Sequence, residues 1–237
     1  MSSNPSEYER LHEEVMRAAP EGVWLFASRE ADEETRRQAI AWMRNAEDPL
    51  SPMALQVKYA FSIPTTRALQ ALAREPSVRQ WISCGSGTGY WELLMQRDFG
   101  LTVRCFDKNT AYPEPMRHVH VDTAGPEYIS EHACDGDGLF LAWPDDSEAC
   151  TFGLDCLRAF SGNVVAHVGE LRGETLSANP WGQSTSAACQ QHLTQHFRLS
   201  QRVELPRWPY QRDSLTIWHR ASQPIDCAGA DFVSLLH

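Results

Sequence analysis

The chain has 237 residues, of which 42% are hydrophobic and 22% charged, enough for one sizeable domain and too few for two full ones. This composition excludes a disordered or fibrous protein, and no apolar run approaches the roughly 20 residues of a membrane helix, so no membrane span is predicted. The formal net charge is −10 without a cluster of basic residues, and repulsion by phosphates therefore argues against a nucleic-acid partner.

The first part of the chain, residues 1–76, is predicted to be helical. One helix covers Asp32 to Asn45, and a second begins at Ser51 with a proline in its first turn and continues to about Tyr59. A third helix, Arg67 to Arg74, is stopped by Pro76. Since no strands alternate with these helices, we expect this part to cover the domain that follows and not to join its sheet.

From Val78 onward, strands alternate with helices, a pattern that predicts a parallel sheet covered on both faces. Only about eight residues separate the last two strands, too few for a parallel crossover, so one of them runs antiparallel. The predicted fold is therefore α/β, a doubly wound, mostly parallel sheet of seven strands with a terminal antiparallel hairpin and a helical N-terminal cover. The predicted strands are Trp81–Cys84, Leu101–Phe106, Val119–Val121, Gly138–Trp143, Asn163–Val168, Leu199–Leu205 and Ser214–His219, and helices are predicted at Tyr90–Phe99, Ser147–Phe160 and Ser184–His196.

A glycine-rich turn follows the first predicted strand directly and precedes a helix, since Gly85 to Gly89 read Gly-Ser-Gly-Thr-Gly. Glycine lets the backbone turn sharply and lets a ligand approach without a Cβ in the way, and the helix N-terminus adds unpaired N–H groups. Asp107 ends the second strand, where a carboxylate accepts both hydrogen bonds of a ribose diol. A turn without a ligand is the alternative, but the order of these elements favours a nucleoside site.

The spacing of the glycines separates two classes of nucleoside site. Dinucleotide fingerprints read G-x-G-x-x-G, whereas here the third glycine comes one position earlier and Tyr90 stands where a small residue is needed. From about Val78 to Arg220 the sequence resembles the class I S-adenosylmethionine-dependent methyltransferases, whose first motif reads acid-x-G-x-G-x-G. Tyr59–Pro64 and Val168–Glu170 are similar to an uncharacterised branch of that family. The resemblance implies S-adenosylmethionine as the cofactor and the strand order 3-2-1-4-5-7-6.

The resemblance also implies roles for residues of the turn and of the strand ends. Asp107 would hold the ribose hydroxyls, Lys108 would flank the adenine, and Asp122 would reach the adenine amino group. For Asp122, which precedes Thr-Ala-Gly, ordinary turn chemistry is the alternative. The methionine part of the cofactor would be lined by Gly85, Ser86, Gly87 and Gly89.

One position departs from the family pattern. The family has an acidic residue two positions before the first glycine, where it helps to hold the methionine ammonium, but this chain has Ser83 there. Either another carboxylate substitutes, such as Glu92 or one from the N-terminal cover, or the recognition of methionine is weakened.

The segment Leu141 to Asp146 ends the fourth predicted strand, at the edge of the sheet where α/β proteins bind ligands. It matches the position of the family's fourth motif, but only Pro144 agrees with the Asn/Asp-Pro-Pro-aromatic pattern of amino-group methyltransferases. We expect Trp143 to form a wall beside the sulfonium or to stack on a planar substrate. We expect Asp145 to accept a proton or to fix a substrate amine. The alternative is a helix N-cap at Asp146 with Trp143 in the core.

Glu170 closes the fifth predicted strand on the same edge and is a third candidate catalytic residue. The alternative is a solvated loop residue without a role. The polar loop from Leu171 to Gln183 is long enough to be a substrate lid.

Cysteines and histidines give no sign of a metal site. The seven cysteines are widely spaced without a Cys-x-x-Cys pair, and His192 and His196 lie one helical turn apart without a third ligand. The stretch from Met1 to Glu14 is polar, so no secretory signal is expected. These features predict free thiols in a reducing compartment and a cytoplasmic location.

The predicted function is that of an S-adenosylmethionine-dependent methyltransferase acting on a small, aromatic or cationic acceptor. Its parts are the N-terminal cover at 1–76, the cofactor-binding domain at 77–220 and a C-terminal tail at 221–237. Positioning and desolvation would supply most of the catalysis. Two alternatives stay open. One is an idle cofactor-binding scaffold or interaction protein, which Ser83 and the poor fourth motif suggest, and the other is an NAD(P)-dependent reductase.

Overall fold

The structure is a computed structural model that describes residues 4–25, 31–109, 111–145 and 147–223. Its sheet contains seven strands in the order β3-β2-β1-β4-β5-β7-β6. The strands are β1 (Gln80–Cys84), β2 (Val103–Asp107), β3 (Asp122–Thr123), β4 (Asp137–Ala142), β5 (Val164–Gly169), β6 (Phe197–Glu204) and β7 (Ser214–Arg220).

The pairing of the strands confirms the predicted topology. Strands β3, β2, β1, β4 and β5 run parallel to one another, while β7 pairs antiparallel with both β5 and β6. The strand order is the one that the resemblance implies. The carboxyl ends of the parallel strands therefore meet at one edge of the sheet, where the turn after β1 and the loop after β4 come together.

Eight α-helices accompany these strands in the described residues. Three of those before the sheet begin within one residue of the predicted position, because Asp32, Ser51 and Thr65 each accept a hydrogen bond from a backbone N–H three residues later, whereas α1 is not predicted as a separate helix. The helices are α1 (Glu7–Arg17), α2 (Glu33–Met43), α3 (Pro52–Lys58), α4 (Thr66–Ala73), α5 (Tyr90–Phe99), α6 (Glu127–His132), α7 (Phe152–Ala159) and α8 (Ala187–His196), and two 3₁₀ turns lie at Val23–Leu25 and Glu114–Met116.

Several predicted boundaries differ from the structure, among them those of the third strand and of helix α7, and helix α8 begins at Ala187 and not at Ser184. The third strand begins at Asp122 and not at Val119, because the preceding backbone is bonded outside the sheet. The N–H of His118 donates to the carbonyl of Thr88 at 2.7 Å, and the Arg117 side chain donates to the carbonyl of Val121 at 2.7 Å.

The second difference is helix α7, which begins at Phe152 and not at Ser147. A carboxylate oxygen of Asp145 accepts the N–H of Gly153 at 2.9 Å, which fixes the first turn of the helix at that point. The N-cap predicted at Asp146 lies outside the described residues, as does the C-terminal tail beyond residue 223.

Side chains from the two faces of the sheet form two separate apolar clusters. Trp81 of β1 points into the cluster that contains α4, α5 and the N-terminal region, whereas its neighbour Ile82 points into the cluster formed with α6, α7 and α8. This alternation is the two-residue period of a strand. Within the described ranges, no helix combines the length and the apolar character needed to cross a membrane.

The N-terminal region packs on the face of the sheet that carries α5. The rings of Tyr8 and Tyr59 are buried and stacked with centroids 4.9 Å apart, and the indole N–H of Trp91 on α5 donates to the carbonyl of Ser62 at 3.1 Å. These contacts bring residues 59–63 to the edge of the sheet where the glycine-rich turn lies.

Candidate functional site

A cavity of about 330 Å³ lies at the carboxyl ends of β1, β2 and β4. The turn after β1, the residues after β2 and the loop after β4 form three of its sides, and residues 60–62 of the N-terminal region form a fourth. Seven of the residues predicted from the sequence line it, namely Gly85, Ser86, Gly87, Asp107, Lys108, Trp143 and Asp145, whereas Gly89, Asp122 and Glu170 do not.

The glycine-rich turn has the backbone geometry that requires glycine. Gly87 has a φ of 54° and Gly89 a φ of 73°, in the left-handed region that side chains disfavour. A Cβ at Gly89 would also clash with the side chain of Val119. Gly89 therefore shapes the start of α5 from outside the cavity.

Asp107 is buried at the end of β2 and is held by the turn that it faces. One carboxylate oxygen accepts the N–H of Gly87 at 2.8 Å, and the other accepts the N–H of Asn109 at 2.7 Å. A carboxylate has about four lone-pair sites. The two backbone bonds therefore fix the orientation of Asp107 and leave two sites for hydroxyl donors from a ligand.

Ser83, which stands where the family pattern has an acidic residue, lies next to a carboxylate from α5. Glu92 is buried, lines the cavity and accepts a hydrogen bond from the Ser83 hydroxyl, and the Ser86 hydroxyl lies 3.0 Å from that of Ser83. Burial raises the pKa of Glu92 to about 7 because the charged form loses its hydration. Glu92 therefore lies beside the position where the family pattern has its acidic residue, and its role toward the methionine ammonium stays a prediction.

Trp143 forms the wall of the cavity after β4. Its backbone has a φ of 51°, unusual for a residue with a side chain, and its N–H donates to the carbonyl of Val168 at 3.0 Å. The indole ring stacks on Phe61 of the N-terminal region with centroids 5.0 Å apart and planes 18° apart. The ring is thus held at the surface of the cavity and is not part of either apolar core.

Asp213 is a residue of this region that the sequence analysis misses. Its carboxylate is buried and accepts hydrogen bonds from the Ser62 hydroxyl at 2.6 Å and from the Trp143 indole N–H at 3.2 Å. Burial raises the pKa of Asp213 to about 7. Asp213 therefore ties the N-terminal region to the aromatic wall, a connection between distant segments for which the sequence holds no local signal.

The carboxylate of Asp145 is occupied by the backbone of two other segments. One oxygen accepts the N–H of Gly153 on α7, and the other accepts the N–H of Ser186 just before α8, each at 2.9 Å. These bonds favour a role in positioning the two segments. The proton-accepting role of Asp145 stays a prediction.

Glu170 follows the last residue of β5, as predicted, and it is not the solvated loop residue of the alternative, because it is buried. Its oxygens accept from the Thr175 hydroxyl at 3.1 Å, the Gln183 N–H at 3.0 Å and the Arg212 N–H at 3.1 Å. Burial raises its pKa. Glu170 thus holds both ends of the loop predicted as a lid, and its catalytic role stays a prediction.

Asp122 lies on β3, outside the cavity. It accepts a hydrogen bond from the Tyr128 hydroxyl at 2.8 Å, and a ring nitrogen of His120 lies 3.0 Å from its other oxygen. The bond from Tyr128 lowers the pKa of Asp122. Its predicted contact with adenine stays a prediction, and the cavity gives it no support.

Comparisons with known proteins give distant structural similarities. No protein-family model matches the chain, and no curated protein matches it. A variant of MtNAS in complex with S-adenosylmethionine is 16% identical with a TM-score of 0.45, covering 90% of this chain and 72% of that one. The N-methyltransferase NodS from Bradyrhizobium japonicum, in complex with S-adenosyl-L-homocysteine, is 11% identical with a TM-score of 0.44, covering 85% and 100%.

A third similar structure, the methyltransferase CalO6, is 14% identical with a TM-score of 0.41, covering 89% of this chain and 95% of that one. Identities and TM-scores this low do not transfer the activities of these proteins to the present chain. The fold follows from the sheet itself, because its seven strands have the order and directions of the class I methyltransferase fold.

Proposed function

We propose that the protein is an S-adenosylmethionine-dependent methyltransferase that acts on a small-molecule acceptor. The observation that carries this proposal is the pair of buried carboxylates, Glu92 and Asp107, that line one cavity beside the glycine-rich turn. S-adenosylmethionine carries an ammonium and a ribose diol, and each matches one of these carboxylates. The cavity volume of about 330 Å³ lies within the range of about 300–1,000 Å³ for small-molecule sites.

The residues present fit the cofactor in charge and in shape. Asp107 has lone pairs left for the ribose hydroxyls, Glu92 offers a negative charge for the ammonium, and Gly85, Ser86 and Gly87 let the backbone lie close to the methionine part. Lys108 lies next to the aromatic ring of Phe152, with its Nζ 4.8 Å from the ring centroid. We place the adenine beside these two residues.

When bound, the cofactor supplies a methyl group that its sulfonium already activates, so the protein has to align the acceptor and exclude water. Trp143 and Phe61 form an aromatic wall that presents ring faces, which suit a positive charge. We propose that the N-terminal region, residues 1–76, acts as a cover. Its residues 60–62 close one side of the cavity. Asp213 keeps the aromatic wall in place through its bonds to Ser62 and Trp143.

The remaining proposals concern the setting of the reaction. A net charge of −10 without a basic cluster supports a small molecule over a nucleic acid as the acceptor. Six cysteines in the described part of the chain are free thiols. They support a reducing compartment, and we propose the cytoplasm.

Transfer of a labelled methyl group tests the proposed activity. The chain is incubated with S-adenosylmethionine carrying a deuterated methyl group and with a panel of small amines, phenols and thiols. Mass spectrometry is expected to show the labelled methyl group on at least one acceptor, together with an equal amount of S-adenosylhomocysteine. Cofactor that binds without transfer to any member of the panel would instead support the idle scaffold.

A further inference from the structure

We propose that a second cavity beside the first one binds the methyl acceptor, and that it takes a planar molecule with an amine and no negative charge. The identification of this ligand as the acceptor rests on the proposed function. The cavity has a volume of about 570 Å³ and lies between the aromatic wall, the loop after β4 and the segment before α8.

The two cavities meet at the aromatic wall. Phe61, Trp143 and Asp145 line both of them, and the first two side chains are stacked on each other. The Trp143 ring is fixed by its hydrogen bond to Asp213. A flat ring in the second cavity therefore lies against a preformed aromatic surface, next to the cavity that we assign to the cofactor.

The charge of the lining selects against anions. Among the described residues that line the second cavity, Asp145 and Glu148 are the ionisable ones, and both are acidic. The Glu148 carboxylate accepts from the Asn179 amide at 2.9 Å and from the Ala187 N–H at 3.3 Å, which leaves lone pairs for a ligand donor. A carboxylate or phosphate on the ligand would meet these like charges, whereas an amine would find an acceptor.

A hydroxyl group of the lining lacks a partner. Ser186 is buried and lines the second cavity, and its Oγ has no hydrogen-bond partner among the described residues. Its backbone is fixed by the N–H bond to Asp145. Buried polar groups without a partner are rare and unfavourable in folded proteins, but this Oγ is buried below the surface of the cavity, so the ligand contacts assigned here are those of Glu148 and the aromatic wall.

Three indole probes test this assignment. Tryptamine, tryptophol and indole-3-propionate share a ring and a two-carbon linker and end in an ammonium, a hydroxyl and a carboxylate. Their affinities for the intact chain are measured by saturation-transfer NMR titration, with and without S-adenosylhomocysteine. We expect tryptamine to bind about five- to tenfold more tightly than indole-3-propionate, with tryptophol between them.

Variants test whether the preference for tryptamine over indole-3-propionate arises in the second cavity. Glu148→Gln is expected to reduce the preference for tryptamine to about twofold or less. Glu131→Gln removes an exposed carboxylate of α6 outside both cavities and is expected to change nothing. An equal or tighter binding of the carboxylate, a preference that Glu148→Gln leaves intact, or no binding of any probe at millimolar concentration overturns the inference.

The titrations also separate this inference from the proposed function. A chain that binds S-adenosylhomocysteine but shows no amine preference would contradict the inference alone. A chain that shows the amine preference but does not bind S-adenosylhomocysteine would support an amine site here and contradict the methyltransferase.

Discussion

Asp107→Ala is expected to weaken the binding of S-adenosylhomocysteine about 30- to 1000-fold, measured by calorimetric titration. In the proposed complex Asp107 accepts two charge-assisted hydrogen bonds from the ribose, each worth about 1.5–3 kcal/mol, and the substitution would remove both. Such losses are rarely additive, because water replaces part of what is lost, and about 2–4 kcal/mol is expected in total. The backbone bonds from Gly87 and Asn109 to Asp107 are lost as well, which loosens the turn and adds to the effect.

Asp135→Ala is the control, since it removes an exposed aspartate that does not line the cavity and for which no role in cofactor binding is predicted. We expect the affinity of this variant for S-adenosylhomocysteine to stay within a few-fold of that of the original chain. Melting temperatures of both variants check that the fold survives. A near-native affinity of the Asp107 variant would refute the cofactor assignment, and equal losses in both variants would show that the nucleoside lies elsewhere.

The affinity for S-adenosylhomocysteine is expected to be about tenfold higher at pH 8 than at pH 6, because Glu92 must be ionised to bind the ammonium. The pKa of Glu92 is raised to about 7 by burial, so most of the carboxyl is neutral at the lower pH and charged at the higher one. Binding therefore favours the deprotonated form, and protons are released when the ligand binds near pH 7.

Glu92→Gln isolates this effect from those of other buried carboxyls in the region, such as Asp213, whose pKa is also raised to about 7. The glutamine keeps an oxygen that accepts from Ser83 but loses the charge. We expect it to bind about 10- to 100-fold more weakly at pH 8 and to show little change with pH. If the affinity of the variant for S-adenosylhomocysteine changes with pH as strongly as that of the original chain, a group other than Glu92 causes the pH dependence.

The sheet is predictable from the sequence because each strand has a local signature. Trp81–Cys84 and Gly138–Trp143 are mostly apolar runs, and Ser214–His219 largely alternates polar and apolar residues. The structure places strands β1, β4 and β7 there. The short connection before β7 is enough to predict the antiparallel hairpin. The sequence misplaces the third strand because only two residues of β3 pair with β2. A strand this short shows no periodicity that the sequence could reveal.

The candidate site is predictable only where its residues follow one another in the sequence. The glycine-rich turn and Asp107 come from one β-α-β unit, so their order along the chain reveals them. Asp213 and its donor Ser62 are 151 positions apart, and only the packing of the N-terminal region brings them together. Asp145 and Glu170 stand at strand ends, as predicted, but the pattern does not show that neighbouring backbone amides bind their carboxylates.

Calorimetric titration of S-adenosylhomocysteine into the 237-residue chain, in competition with NADH, tests the cofactor site most directly. The glycine spacing and the two cavity carboxylates predict that one molecule of S-adenosylhomocysteine binds per chain and that NADH, with its pyrophosphate, neither binds nor competes. Displacement of S-adenosylhomocysteine by NADH, or binding of NADH alone, would contradict the assignment of this cavity to S-adenosylmethionine.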